Sequence, residues 1–186
     1  MSSSANQVRQ EKRAITYFKQ RGRDNTEALC RIVAGRLGQG DVEAVVVATT
    51  TGFSALKMAE TVPEGTCVYA VNFQSAYWDK HSAPEEQTQR KAEKLGVVFM
   101  PEEPVAKYLR EVAGHSADSL RLLGQGMKVA VEVIMQAVEV GHIQPGAKVI
   151  GVGGSSRGAD VAIVARAGGP SALEELWVSE ILAKVE

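Results

Sequence analysis

Val45-Val46-Val47-Ala48 is a continuous apolar run rich in β-branched valine, and Ala55-Leu56-Lys57-Met58-Ala59-Glu60 is built from good helix formers. Between them lie only Thr49, Thr50, Thr51, Gly52, Phe53 and Ser54. A buried strand, a tight hydroxyl-rich turn and a helix start therefore meet at one point. The strand is apolar throughout rather than alternating, which predicts burial on both faces, as in a parallel sheet covered by helices. Such a turn also presents backbone N–H groups at the positive end of a helix dipole, where an anion is welcome. The predicted role of Thr49 to Ser54 is to grip a phosphate; the competing reading is a plain turn and helix cap.

The rest of the chain repeats this alternation. A short strand at Ala14–Phe18 leads through a basic loop into a helix opened by Asp24-Asn25-Thr26-Glu27, where Asp24 and Glu27 have capping-box spacing and Thr26 is a rival cap. Cys67–Val71 and Val97–Met100 read as further strands. Pro84–Leu95 reads as a charged outer helix, a segment around Val105, Leu109 and Val112 as another helix, and Asp118–Leu123 as a short one. Met127–Val140 could suit a strand at its start. However, Met127, Ala130, Val131, Ile134, Ala137, Val138 and Gly141 share one helical face, so a buried helix is expected. Lys148–Val152 and Ala159–Ala165 are strands whose short link suits antiparallel neighbours. Leu173, Leu176, Trp177 and Ile181 predict a closing helix. The expected architecture is α/β: a three-layer sandwich with a mainly parallel sheet, helices on both faces and an antiparallel strand near the C-terminus. Residues 1–13 are expected to be a loose tail and residues 14–186 a single domain.

Composition narrows the function classes. The formal net charge is -1, so nothing points to nucleic acid. No apolar run suits a bilayer span and the polar N-terminus lacks a signal-peptide core, which together predict a cytoplasmic protein. The two cysteines, Cys30 and Cys67, show no CxxC or metal spacing and are expected to be buried reduced thiols; His81, His115 and His142 are scattered. There is no GxSxG elbow, no Walker loop and no pair of carboxylates at acid/base spacing. Glu132, inside an apolar helix, is expected to reach the helix surface or to pair with a base.

Ligands of such sheets bind beyond the carboxyl ends of the strands. The segments expected there are Arg21–Thr26, Thr49–Ser54, Asn72–Trp78 and Gly153–Gly158. They offer hydroxyls, glycine amides, arginines and aromatic rings, an inventory suited to a phosphorylated ligand with a flat or sugar-like body. Phe73, Tyr77 and Trp78 could equally form a packing cluster, and Gly153–Gly158 could be only a hairpin loop.

Val45 to Ala55 resembles the C-terminal α/β domain of pyruvate kinase, in which a strand ending in a Thr-x-Ser-Gly-x-Ser/Thr-Ala turn holds a phosphate of the allosteric sugar bisphosphate. Stand-alone pyruvate kinase α/β-domain-like proteins of archaea and bacteria are closer still. Their patterns match Gly22-Arg23-Asp24-Asn25-Thr26-Glu27, Gly126 to Glu132 and Val152 to Asp160. Thr51 and Phe53 depart from these relatives. The resemblance implies a pocket for flavin mononucleotide (FMN) lined by Gly22, Arg23, Asn25, Thr26, Gly153, Gly154, Ser155, Ser156 and Arg157, with its phosphate at Thr49, Thr50, Thr51, Gly52, Phe53 and Ser54 and its ring near Asn72 and Phe73. It does not imply kinase activity, since the barrel domain of that enzyme has no counterpart here. The expected role is a sensor or carrier for this ligand. A flavin-dependent oxidoreductase and a regulatory or interaction domain are the alternatives, and a homodimer is compatible with the size of the domain.

Overall fold

Val45, Val46 and Val47 are wholly buried, and they face two different cores in alternation. That is what an apolar run without polar interruption demands of a strand. It places β2 (Ala44–Thr49) in the middle of a seven-stranded sheet of order β1-β7-β6-β5-β2-β3-β4. The computed structural model describes residues 10–72, 83–100 and 116–186. The expected helix around Val105–Val112 lies outside them.

The other strands are β1 (Thr16–Phe18), β3 (Cys67–Asn72), β4 (Val98–Met100), β5 (Lys148–Gly153), β6 (Val161–Arg166) and β7 (Trp177–Val185). β2 runs parallel to β3 and β5, β3 to β4, and β1 to β7. β6 is antiparallel to both β5 and β7. Six strands therefore share one direction and β6 alone is reversed, so the carboxyl ends of β1, β2, β3 and β5 lie on one edge.

Helices α1 (Thr26–Leu37), α2 (Phe53–Thr61) and α3 (Glu86–Lys94) cover one face, through Leu29, Val33, Ala55, Met58 and Ala92. The other face carries α4 (Ser116–Arg121) and α5 (Gln125–Glu139), through Met127, Ala130, Ile134 and Ala137. The helical reading of Met127–Val140 and the three-layer architecture agree with this arrangement. α5 lies almost on the sheet: a Cβ at Gly153 would sit 2.2 Å from the carbonyl oxygen of Gly126, and one at Gly151 2.5 Å from that of Ala130. Glycine at both positions is what lets the helix backbone approach so closely. Within α5, Glu132 pairs with Lys128 at 2.5 Å, both side chains largely buried.

Three expectations need correction. The closing segment is not a helix: a 3-10 turn at Pro170–Glu175 precedes strand β7. Register shifts occur opposite Ala162/Ile163 and Val164/Ala165, where β7 carries an extra residue each time. Those bulges break the period of two, and the remaining spacing of Leu173, Leu176, Trp177 and Ile181 imitates a helix. Trp177 is in fact 65% exposed. Cys67 is exposed rather than buried, because it opens β3 two residues before β4 begins to pair; Cys30 is buried as expected, which pushes its thiol pKa up to about 12. Finally, Asp24 and Glu27 form no capping box. A 3-10 turn, Arg23–Asn25, leads into α1, and no side chain caps the helix.

Candidate anion site at the carboxyl edge of the sheet

The turn after β2 is organised by its own threonines. The Thr49 hydroxyl accepts the Gly52 N–H at 3.0 Å and the Thr51 hydroxyl accepts that of Phe53 at 3.3 Å. Gly52 stands at φ 97°, and a Cβ there would lie 3.0 Å from Cγ of Gln89, so the position admits only glycine without strain. From Gly52 the chain enters α2 with no side-chain cap and no acidic residue in the first turn. On the far side, Gln89 donates to the Asn72 side-chain oxygen at 3.3 Å, and the Glu85 N–H donates to the Thr51 carbonyl. Asn72 is thus beside the turn, as expected; Phe73 lies outside the described residues.

The segment after β1 crosses over to join this turn. The Arg23 guanidinium stacks on the Phe53 ring, 3.6 Å from its centroid. The same segment is tied to the turn after β5. The carboxylate of Asp160 accepts the Gly22 N–H at 3.3 Å and the Ser155 N–H at 2.9 Å, one on each oxygen. The Thr26 hydroxyl accepts the Ala159 N–H at 3.0 Å. Gly158 packs against the Arg23 backbone, where a Cβ would lie 2.6 Å from its Cα.

The expected site residues thereby divide. Arg23, Ser156 and Arg157 are exposed, and Thr50, Thr51, Phe53, Gly154 and Ser155 are half-buried at the surface of the edge. Thr26, Thr49 and Ser54 are buried, as is Gly153 beneath α5, and the Asn25 side chain donates to the Gln20 carbonyl. The side chains of these inward-facing residues shape the edge and leave its surface to backbone amides and to the residues around them. Sequence reasoning missed Asp160. It is completely buried, and burial raises its pKa while the Ser155 and Gly22 amides pull it back. Its signals in the sequence were an acidic residue at the head of an otherwise apolar strand and the last position of the Val152 to Asp160 pattern.

The electrostatics favour an anion. The N-terminus of α1 lies at this edge through Thr26 and Ala159, that of α2 through Gly52, and that of α5 through Gly126, which packs on Asp160 and Val161. Each contributes a partial positive charge of roughly half a unit. Arg21, Arg23 and Arg157 add three cations, of which Arg21 already feels the Asp160 carboxylate. No group of acidic, histidine or cysteine side chains that could hold a metal ion occurs among the described residues, and no helix there is long and apolar enough to cross a membrane.

Comparison with known proteins bears on the fold. A family model described as "Pyruvate kinase, alpha/beta domain" matches residues 27–165, about three quarters of the chain. Among solved structures, a Klebsiella pneumoniae protein described by name as an O-methyltransferase is similar at 14% identity and a TM-score of 0.31. The match covers 67% of this chain and 55% of that one, so the chain spans about half the length of that protein.

Proposed function

Since the chain belongs to the pyruvate kinase alpha/beta domain family, we propose that it binds a phosphorylated small molecule, FMN, at the carboxyl edge of its sheet and acts as a sensor or carrier. The observation that carries this reading is the start of α2. The first amides of a helix have no intrahelical acceptor. Here Thr49 and Thr51 occupy those of Gly52 and Phe53. The Ser54 and Ala55 amides become the donors for an anion, with no acidic side chain in that turn to compete. Arg23, held over Phe53, supplies a charge-assisted contact from the side.

The turn after β5 is, in this reading, the second wall of the site. Its Ser155 amide is already satisfied by Asp160, so this turn forms a wall beside the phosphate and contributes Arg157 and Ser156 at its rim. Asn72, whose side-chain oxygen accepts from Gln89, is the residue proposed to meet a ring attached to the phosphate. The Asp160 carboxylate is committed to two backbone amides. The arrangement therefore favours recognition over acid–base chemistry.

The test is a titration of the purified chain with FMN, read by flavin fluorescence and absorbance, with riboflavin in parallel. Saturable 1:1 binding of FMN is expected. Riboflavin, which lacks the phosphate, should bind at least roughly tenfold more weakly, the order expected for losing charge-assisted hydrogen bonds. Equal affinity for both would remove the phosphate from the account, and no binding of either would remove the flavin. Rapid reduction of the bound flavin by a nicotinamide would make the chain an oxidoreductase instead.

A further inference from the structure

Asp160 stands 138 residues from Gly22 in sequence, yet its two carboxylate oxygens each hold a different wall of the site: one the Gly22 amide, the other that of Ser155. Arg23, the next residue after Gly22, rests its Cα against Gly158 and its guanidinium on Phe53. A second tie, from the Ala159 N–H to the Thr26 hydroxyl, closes the far end of the same segment. We propose that Asp160 is a positioning residue for this site: one buried carboxylate fixes the Gly22–Thr26 segment against the Gly153–Gly158 turn, and so sets where Arg23 stands over the N-terminus of α2. The inference rests on the reading of this edge as a phosphate site. A long arginine that must find its place anew in every encounter loses affinity to ordering. An arginine whose backbone is pinned on both sides keeps it.

Asp160→Asn is the direct test, because asparagine has the same shape but offers only one acceptor oxygen. Its amide nitrogen would face a backbone N–H, donor against donor. The longer bond, to Gly22, is the one expected to fail. FMN affinity should drop roughly tenfold, the order expected for one unsatisfied donor in the joint. Arg23→Ala should lower it as well, and Asp160→Asn should have no further effect in the Arg23→Ala background, since the carboxylate acts through the arginine. Unchanged affinity in Asp160→Asn, or losses that simply add in the double variant, would overturn the proposal. If Asp160→Asn does not fold, Thr26→Val cuts the second tie and must show the same failure to add with Arg23→Ala. If the wild-type chain binds neither FMN nor inorganic phosphate, the phosphate reading fails by itself. The tie is then judged on amide exchange in the ligand-free protein. Exchange at Gly22 that quickens in Asp160→Asn while β2 and β5 stay protected supports it; exchange at Gly22 that does not change contradicts it.

Discussion

Replacing Thr50 by glutamate is expected to weaken FMN binding by roughly a hundredfold while leaving the fold intact. Thr50 is half-buried in the turn between β2 and α2, and its hydroxyl takes no part in the hydrogen bonds that shape that turn, which belong to Thr49 and Thr51. A carboxylate there would stand directly before the first turn of α2, which has no acidic residue of its own. It would both repel a phosphate and compete for the same amides. Two unit charges about 4 Å apart repel by roughly 4 kcal/mol at the effective dielectric of a protein surface. About 2.8 kcal/mol of that already amounts to a hundredfold. Stability should change by only about 0.5 kcal/mol, as for surface substitutions that disturb no internal partner. Thr50→Ser, of the same polarity, serves as the control. Affinity that survives the glutamate would mean that the anion binds elsewhere or not at all.

The largest expected effect on stability lies at the opposite edge of the sheet. Arg36, near the end of α1, is only 6% exposed. Its guanidinium donates to Glu180 on β7 at 2.8 and 2.9 Å and to Asp41 at 2.6 and 3.1 Å. Arg13 completes the pairing of Glu180, and Lys148 that of Asp41. The cluster joins α1, the loop before β2, the first residue of β5 and the C-terminal strand. Removing Arg36, the buried member, strips four hydrogen bonds and leaves Glu180 to Arg13 and Asp41 to Lys148 alone; the about 3–5 kcal/mol for breaking a fully buried pair is the upper bound of the cost. Arg36→Ala should therefore lose a large share of a stability that is about 5–15 kcal/mol for most domains. The same pairing fixes the pH dependence. The hydrogen bond from Arg36, opposed by burial and helped by Arg13, holds the Glu180 carboxyl below its ordinary pKa of 4.5. A group whose pKa is lowered on folding contributes stability that is present above its unfolded pKa and lost as pH falls through the folded one. The wild type should thus weaken below pH 4.5, and Arg36→Ala should weaken less steeply there. Urea unfolding at neutral and acid pH measures both. A loss of under about 1 kcal/mol at neutral pH would show the cluster to be ornamental.

These two sites also show what the sequence could disclose. The strand–turn–helix at Val45–Glu60 was legible because local rules act alone there: a continuous apolar run, small hydroxyl residues and helix formers in succession. α5 was legible because its apolar residues keep one helical face over four turns. β7 was not, since its two bulges erased the alternation on which a strand is recognised. Cys67 was misplaced because burial depends on where the neighbouring strand begins, which no local pattern states. The site was legible in its parts but not in its joints. The threonines and glycines announce themselves as turn residues and the arginines as surface cations. That Thr26, Thr49 and Gly153 face inward, and that Asp160 holds two walls together, depends on contacts between residues more than a hundred positions apart or on a helix pressed against the sheet.

The central claim is that the first amides of α2 hold a phosphate. An NMR titration of the full chain with inorganic phosphate, followed at each backbone amide, tests it without reference to the body of the ligand. The Ser54 and Ala55 amides should shift first and furthest, along one saturable curve shared with the Arg23 side chain. Shifts confined to the Gly153–Gly158 turn, or an α2 N-terminus that ignores phosphate altogether, would contradict it.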